Sequence, residues 1–149
     1  MDIEFEFHVL RRALNDSGLP YAVVGGFAVA IWGAPRATTD IDILVRAEDV
    51  DAILALASGL GFTFIALPMR FDDGMELRRA TRLEGGQALT LDLLLVNANL
   101  LPVWTSRAEV LTGEGPVSVI SRAALIQMKL LAGRPQDLGD VARLTEMDR

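Results

Sequence analysis

Cysteine is absent from this chain. That excludes disulfides, a thiolate zinc site and a cysteine nucleophile. Basic charge is scarce: 14 Lys and Arg stand against 20 Asp and Glu, a formal net charge of −6 and a pI near 4.7. Such a balance excludes a surface that grips nucleic acid through its phosphates alone, although not a local basic patch. No signal-peptide pattern opens the sequence, because MDIEFEFHVLRR runs from acidic to basic without an apolar centre. No internal repeat, low-complexity tract or linker interrupts the 149 residues, so the expectation is a single cytoplasmic domain over 1–149. One long uncharged run does exist, residues 17–35, but Pro20, Gly25-Gly26, Gly33 and Pro35 break it. It reads as a buried strand, a turn and a short helix rather than a membrane span.

About half of the residues are apolar, enough for a substantial core. Ile3, Phe7, Leu10 and Leu14 follow helical spacing up to Gly18. Tyr21 to Val24 is a short apolar strand, and Gly25-Gly26 turns it into a helix over 27–32. Residues 38–45 (TTDIDILV) alternate as a strand. Glu48-Asp49 open a helix whose apolar side is Val50, Ile53, Leu54, Ala57 and Leu60. Residues 62–67 read as a strand and 69–74 as an exposed turn. Residues 76–83 and 88–96 form a hairpin across Gly85-Gly86. Residues 97–115 give no clear pattern. A short strand over 117–120 precedes a helix over 122–132 capped by Ser121, and a last helix runs over about 136–145. The mixture predicts an α/β (α+β) domain, a small mixed sheet with flanking helices over about 18–96 and a helical C-terminal part over about 121–147.

The chemistry concentrates on the strand at 38–45. Period-two geometry puts Asp40 and Asp42 on one face, with Cα atoms about 6.6 Å apart, while Ile41 and Ile43 turn to the core. Two such carboxylates repel and call for a cation. Hard oxygen ligands suit Mg²⁺ or Mn²⁺, and a pair of such ions can clamp the oxygens of a phosphoryl displacement. Asp92 is a lone acid inside the apolar run LDLLLV, and a buried carboxylate is normally paired or metal-bound. If its strand lies beside the first, three carboxylates converge, and Asp92 becomes a metal ligand or the base for an acceptor hydroxyl. Gly25 and Gly26 allow backbone N–H groups to approach a phosphate closely. Arg36 is placed to pair with a phosphate oxygen and Thr38 to add a hydroxyl contact.

Gly25-Gly26, Asp40-Ile-Asp42 and the later Asp92 together resemble the polymerase-β-type nucleotidyltransferase superfamily. The fuller stretch VVGGFAVAIWGAPRATTDIDILV resembles one branch of it, small bacterial nucleotidyltransferases akin to AbiEii-type toxins of abortive-infection and toxin–antitoxin systems. The segment LIQMKLLAGRPQDLGDVARL matches that branch at Lys129, Arg134, Asp137 and Asp140; Gln136 departs, since Lys is common there. The resemblance implies transfer of a nucleoside monophosphate from NTP to RNA ends, proteins or hydroxylated small molecules. It also implies nucleotide contacts at Lys129 and Arg134. Without it, Lys129 and Arg134 complement a helix C-terminus, and Asp137 and Asp140 are helix N-terminal acids.

The leading expectation is therefore an enzyme holding Mg²⁺ or Mn²⁺ on Asp40, Asp42 and Asp92, with NTP as donor. The alternative is a non-catalytic antitoxin-like or regulatory module on the same fold, bound to a cognate toxin or antitoxin protein. An apolar surplus is also compatible with a homodimer. His8 reads as an ordinary boundary residue, Trp32 and Trp104 as core or interface, and Arg78, Arg79 and Arg82 as a solvated strand.

Overall fold

The computed structural model describes residues 1–35 and 37–146. Arg36 therefore lies outside the described residues. The chain opens with helix α1 (Ile3–Ser17), strand β1 (Ala22–Val24), helix α2 (Gly25–Ile31) and strand β2 (Asp40–Val45). Helix α3 (Val50–Gly59) and two short strands, β3 (Phe64–Ile65) and β4 (Met69–Arg70), follow. The long hairpin β5 (Glu76–Glu84) and β6 (Gln87–Leu95) leads to α4 (Leu101–Thr105). A second hairpin, β7 (Ala108–Thr112) and β8 (Gly115–Val119), leads to α5 (Arg122–Ala132) and α6 (Pro135–Glu146).

The strands form one mixed sheet in the order β3-β5-β6-β2-β1-β8-β7, with β4 also paired to β5. Strand β2 runs parallel to β6 and antiparallel to β1, and β1 runs parallel to β8. The sheet is larger than the sequence pattern implied, because residues 108–112 add an edge strand against β8. The predicted strand over 62–67 shrinks to the exposed pair Phe64–Ile65. Met69–Arg70, read as turn, pairs with the start of β5. The β5–β6 turn has φ +57° at Gly85 and +79° at Gly86. Both positive angles match the two-residue turn that follows strand twist, and they fix the hairpin register.

Alternation then assigns the faces. Ile41 and Ile43 of β2, Leu91 and Leu93 of β6, and Ala80 of β5 are almost wholly buried. Each of the larger side chains contributes roughly 1.5–3 kcal/mol by leaving water. Arg82, on the same face as Ala80, donates to Glu6 of α1 at 2.5 Å, so α1 covers this side. Phe7 of α1 stacks on Phe27 of α2 with ring centroids 4.2 Å apart. The opposite face carries the acids. Ser121 caps α5 through a hydrogen bond from the Ala124 amide at 3.0 Å, as its sequence position predicts. No helix among the described residues is long and apolar enough to cross a membrane.

Candidate active site

Register brings the site together. Val24, Asp42, Asp92 and Arg79 stand in one row across β1, β2, β6 and β5, because Val24 pairs with Asp42, Asp42 with Asp92, and Asp92 with Arg79. Asp40 stands beside Thr90 two residues along the same face. The expected convergence of Asp40, Asp42 and Asp92 is thus met by strand pairing. Its members differ in setting. Asp40 is exposed, Asp42 is half-buried and Asp92 is 5% exposed.

Asp92 is already satisfied. Arg79 donates from Nε to its Oδ1 at 2.7 Å and from Nη2 to its Oδ2 at 3.0 Å. This bidentate pair raises the Arg79 pKa further, chiefly through the hydrogen bond to Asp92. Asp42 has no hydrogen bond or ion pair among the described residues. Burial foremost, then the charges of Asp92 and Asp40, push its carboxyl from 3.8 up to about 6. A half-buried carboxylate that lacks a donor and faces two further acids fits a divalent cation, and the all-oxygen set fits Mg²⁺ or Mn²⁺.

Gly25 directly follows β1, so pairing of Val24 with Asp42 sets its backbone against the Asp42 carboxylate. A Cβ on Gly25 would overlap Asp42 Oδ2 and come within 3.1 Å of Asp42 Cβ and Cγ, and Gly25 has φ +67°. Both constraints exclude other residues there. Gly25→Ala is expected to lower the melting temperature and to weaken Mn²⁺ binding by pushing Asp42 aside. Thermal melts and Mn²⁺ titration check this, and a variant with unaltered Mn²⁺ affinity counts against the placement. Gly26 is buried in the first turn of α2. That helix has only seven residues and no side-chain cap on Val24, so its leading N–H groups are not satisfied by a capping side chain.

A cleft of about 460 Å³ joins Gly25 and Asp42 to α5. Asp42, Asp73, Lys129, Arg134 and Asp137 supply its charged lining, and Met75, Leu77, Leu94, Leu125 and Met128 are among its apolar lining. Arg134 is largely exposed, and it donates to Asp137 from Nε at 2.6 Å. Lys129 reaches Asp137 at 3.2 Å and Asp140 at 3.1 Å. The two acids, 1% and 0% exposed, are buried members of an ion network rather than helix-start decoration. Thr38 donates its hydroxyl to the Asp40 carbonyl at 3.3 Å, which fixes the start of β2.

Trp32 and Trp104 are structural, as read from sequence. Trp32 donates to the Ile120 carbonyl at 2.9 Å, and Arg107 covers the Trp104 ring at 4.0 Å. Arg79, which the sequence pattern places with Arg78 and Arg82 on a solvated strand, instead holds Asp92. The signal was present, since counting outward from the Gly85-Gly86 turn puts residue 79 opposite residue 92.

Glu4, His8 and Glu114 also place ligand atoms within 4.8 Å of one another. The geometry argues against a metal there. Arg11 Nε donates to His8 Nδ1 at 2.9 Å, so the neutral ring carries its proton on Nε2, which faces Glu114 at 3.4 Å. A metal would need that lone pair. The group ties α1 to the β7–β8 turn, with Arg11 also donating to the Pro116 and Glu114 carbonyls.

No protein-family model matches the sequence, and no curated protein does. Solved structures do match in fold. The solution structure of the antibiotic-resistance factor ANT(2'')-Ia aligns with a TM-score of 0.67 at 18% identity, covering 100% of this chain and 86% of that one. A crystal structure of ANT(2'')-Ia with adenylyl-2''-tobramycin aligns with a TM-score of 0.66 at 19% identity, covering 96% and 87%. A Thermotoga maritima protein described as a candidate nucleotidyltransferase, TM1012, aligns with a TM-score of 0.63 at 17% identity, covering 99% and 96%. The mixed sheet and flanking helices are thus those of the nucleotidyltransferase fold.

Proposed function

We propose that this protein transfers a nucleoside monophosphate from a nucleoside triphosphate to an acceptor hydroxyl, using Mg²⁺ or Mn²⁺ at Asp40, Asp42 and Asp92. The observation that carries the reading is the pairing of Asp42 with Asp92 beside Gly25. It sets the under-compensated Asp42, with Asp92 beside it, against a backbone position where no side chain fits.

When bound, the metal neutralises charge on the triphosphate and the leaving pyrophosphate. The chain's own groups then have distinct tasks. Gly25 and Gly26 present backbone N–H groups to phosphate oxygens. Arg134, exposed where it lines the cleft, pairs with the β- and γ-phosphates. Met75, Leu77, Leu94, Leu125 and Met128 form an apolar slot for the nucleobase. Asp92 accepts the proton of the acceptor hydroxyl. The acceptor oxygen bonds to the α-phosphorus as the bond to the bridging oxygen breaks, and that oxygen leaves with pyrophosphate.

The finer reading is an abortive-infection or toxin–antitoxin component, which the stretch over residues 23–45 supports. Growth arrest on induced expression of the wild type, spared with Asp92→Asn, is its expected outcome. The fold neighbour seen with adenylyl-2''-tobramycin makes a hydroxylated small molecule the competing acceptor class. A non-catalytic partner role on the same fold is the second reading, and retention of all three acids argues against it.

Calorimetric titration with each common NTP, with and without Mg²⁺, is the first test. Binding that requires Mg²⁺ is expected; a wild type that binds no NTP under either condition sinks the proposal. Labelled NTP offered to total RNA, to protein and to hydroxylated small molecules then identifies the acceptor.

A further inference from the structure

Arg79 is the sole cation that hydrogen-bonds a member of the acid triad among the described residues. Its fork engages both oxygens of Asp92, which is 5% exposed, so little water competes for them. Asp42, directly across the parallel ladder, receives no such partner. The triad is therefore divided: one acid is neutralised by the protein, one is under-compensated and one is exposed. A divalent cation gains most at Asp42. At Asp92 it meets a guanidinium already seated, and two cations on one carboxylate repel. The Arg79 head is half-exposed and comes from a neighbouring strand, so it can leave Asp92 by side-chain rotation without disturbing the sheet.

We infer that Arg79 is a built-in counter-ion that competes with a divalent cation for Asp92, holding the second metal position closed until nucleotide phosphates draw the guanidinium away. Arg79 is thus a positioning residue that acts through Asp92. The inference rests on the metal-site reading above, and its test separates the two.

Mn²⁺ is titrated into the nucleotide-free protein, with free ion followed by electron paramagnetic resonance. Wild type is expected to bind at Asp42 with a weak second step. Arg79→Met is expected to tighten that second step by about tenfold, the order of one unit in a charge-coupled equilibrium. Arg79→Lys keeps the charge and stays close to wild type; Arg79→Gln carries the comparison if Arg79→Met fails to fold. In an Asp92→Asn background, Arg79→Met is expected to change nothing. An unchanged isotherm in both Arg79→Met and Arg79→Gln overturns the inference. So does an equal gain in the Asp92→Asn background, which would make the effect one of general charge. If neither wild type nor any Arg79 variant binds Mn²⁺, the metal-site reading falls and the inference with it.

Discussion

Asp42→Asn is expected to abolish nucleotide transfer and, in the metal-free protein near neutral pH, to raise the melting temperature. The two effects share one cause. The Asp42 carboxyl titrates at about 6 against 3.8 for the free group, because burial and the charges of Asp92 and Asp40 disfavour its ionised form. A raised acid pKa means that ionisation opposes folding. Below pH 3.8 the group is neutral in both states and no penalty exists. Between 3.8 and 6 stability is lost as pH rises, and above 6 the loss is complete at about 2–3 kcal/mol. Asparagine never ionises, so the variant escapes the penalty. At pH 7.5 without metal it is expected to melt roughly 5–10 °C higher, whereas at pH 4 the two proteins converge.

Mg²⁺ reverses the order, since it binds the wild type and adds stability by mass action. Transfer falls by at least about a thousandfold, in line with losing several kcal/mol of transition-state charge stabilisation. A purely structural acid does not give this combination. A variant that melts lower at pH 7.5 without metal, or that retains transfer, contradicts the placement of Asp42.

Much of this site was legible because its signals are local. The alternation of TTDIDILV fixes which way Asp40 and Asp42 point. The apolar run around Asp92 announces a carboxylate that needs a partner, and Gly25-Gly26 marks the turn. Ser121 marks the start of α5 from sequence alone. What the sequence leaves dark is pairing between distant strands. Phe64–Ile65 and Met69–Arg70 are two-residue strands that exist only because β5 offers them an edge, and no periodicity develops over two residues. Residues 108–112 alternate weakly and become a strand through the β7–β8 hairpin. The contact between Asp42 and Gly25 depends on β1 lying antiparallel to β2, a long-range choice. Asp137 and Asp140 fail for another reason. An acid in the first two turns of a helix has the same local signature whether it serves the helix end or is buried against a lysine one helix away.

That lysine carries the second large expectation. Lys129→Met is expected to destabilise the protein by about 3–5 kcal/mol, because removing the buried partner leaves two buried carboxylates with only exposed arginines to offset them. Lys129 is the only lysine in the chain, and it is 7% exposed. Its ammonium bridges two carboxylates, Asp137 and Asp140, that have almost no access to water. Arg134 and Arg143 also reach these acids, at 2.6 and 2.5 Å, but from exposed positions where solvent screens them. A compact ammonium suits a buried point between two acids better than a planar guanidinium does.

The network also predicts the acid limb of the stability curve. The Asp137 carboxyl is lowered to about 2, first by its hydrogen bond from Arg134 and further by Lys129. Its contribution is complete above pH 3.8 and is lost as pH falls from there through 2. The gap between wild type and Lys129→Met is therefore expected to narrow below pH 4. A Lys129 whose task is to hold nucleotide phosphates behaves otherwise: its loss weakens NTP binding and leaves the melting temperature in place. Parallel melts and NTP titrations of Lys129→Met decide between the two. A melting temperature within about one degree of wild type, a shift well under 1 kcal/mol for a chain of this size, assigns the ammonium to the ligand. A fall near ten degrees assigns it to the seam between α5 and α6, where it braces the helix end that carries Arg134 into the cleft.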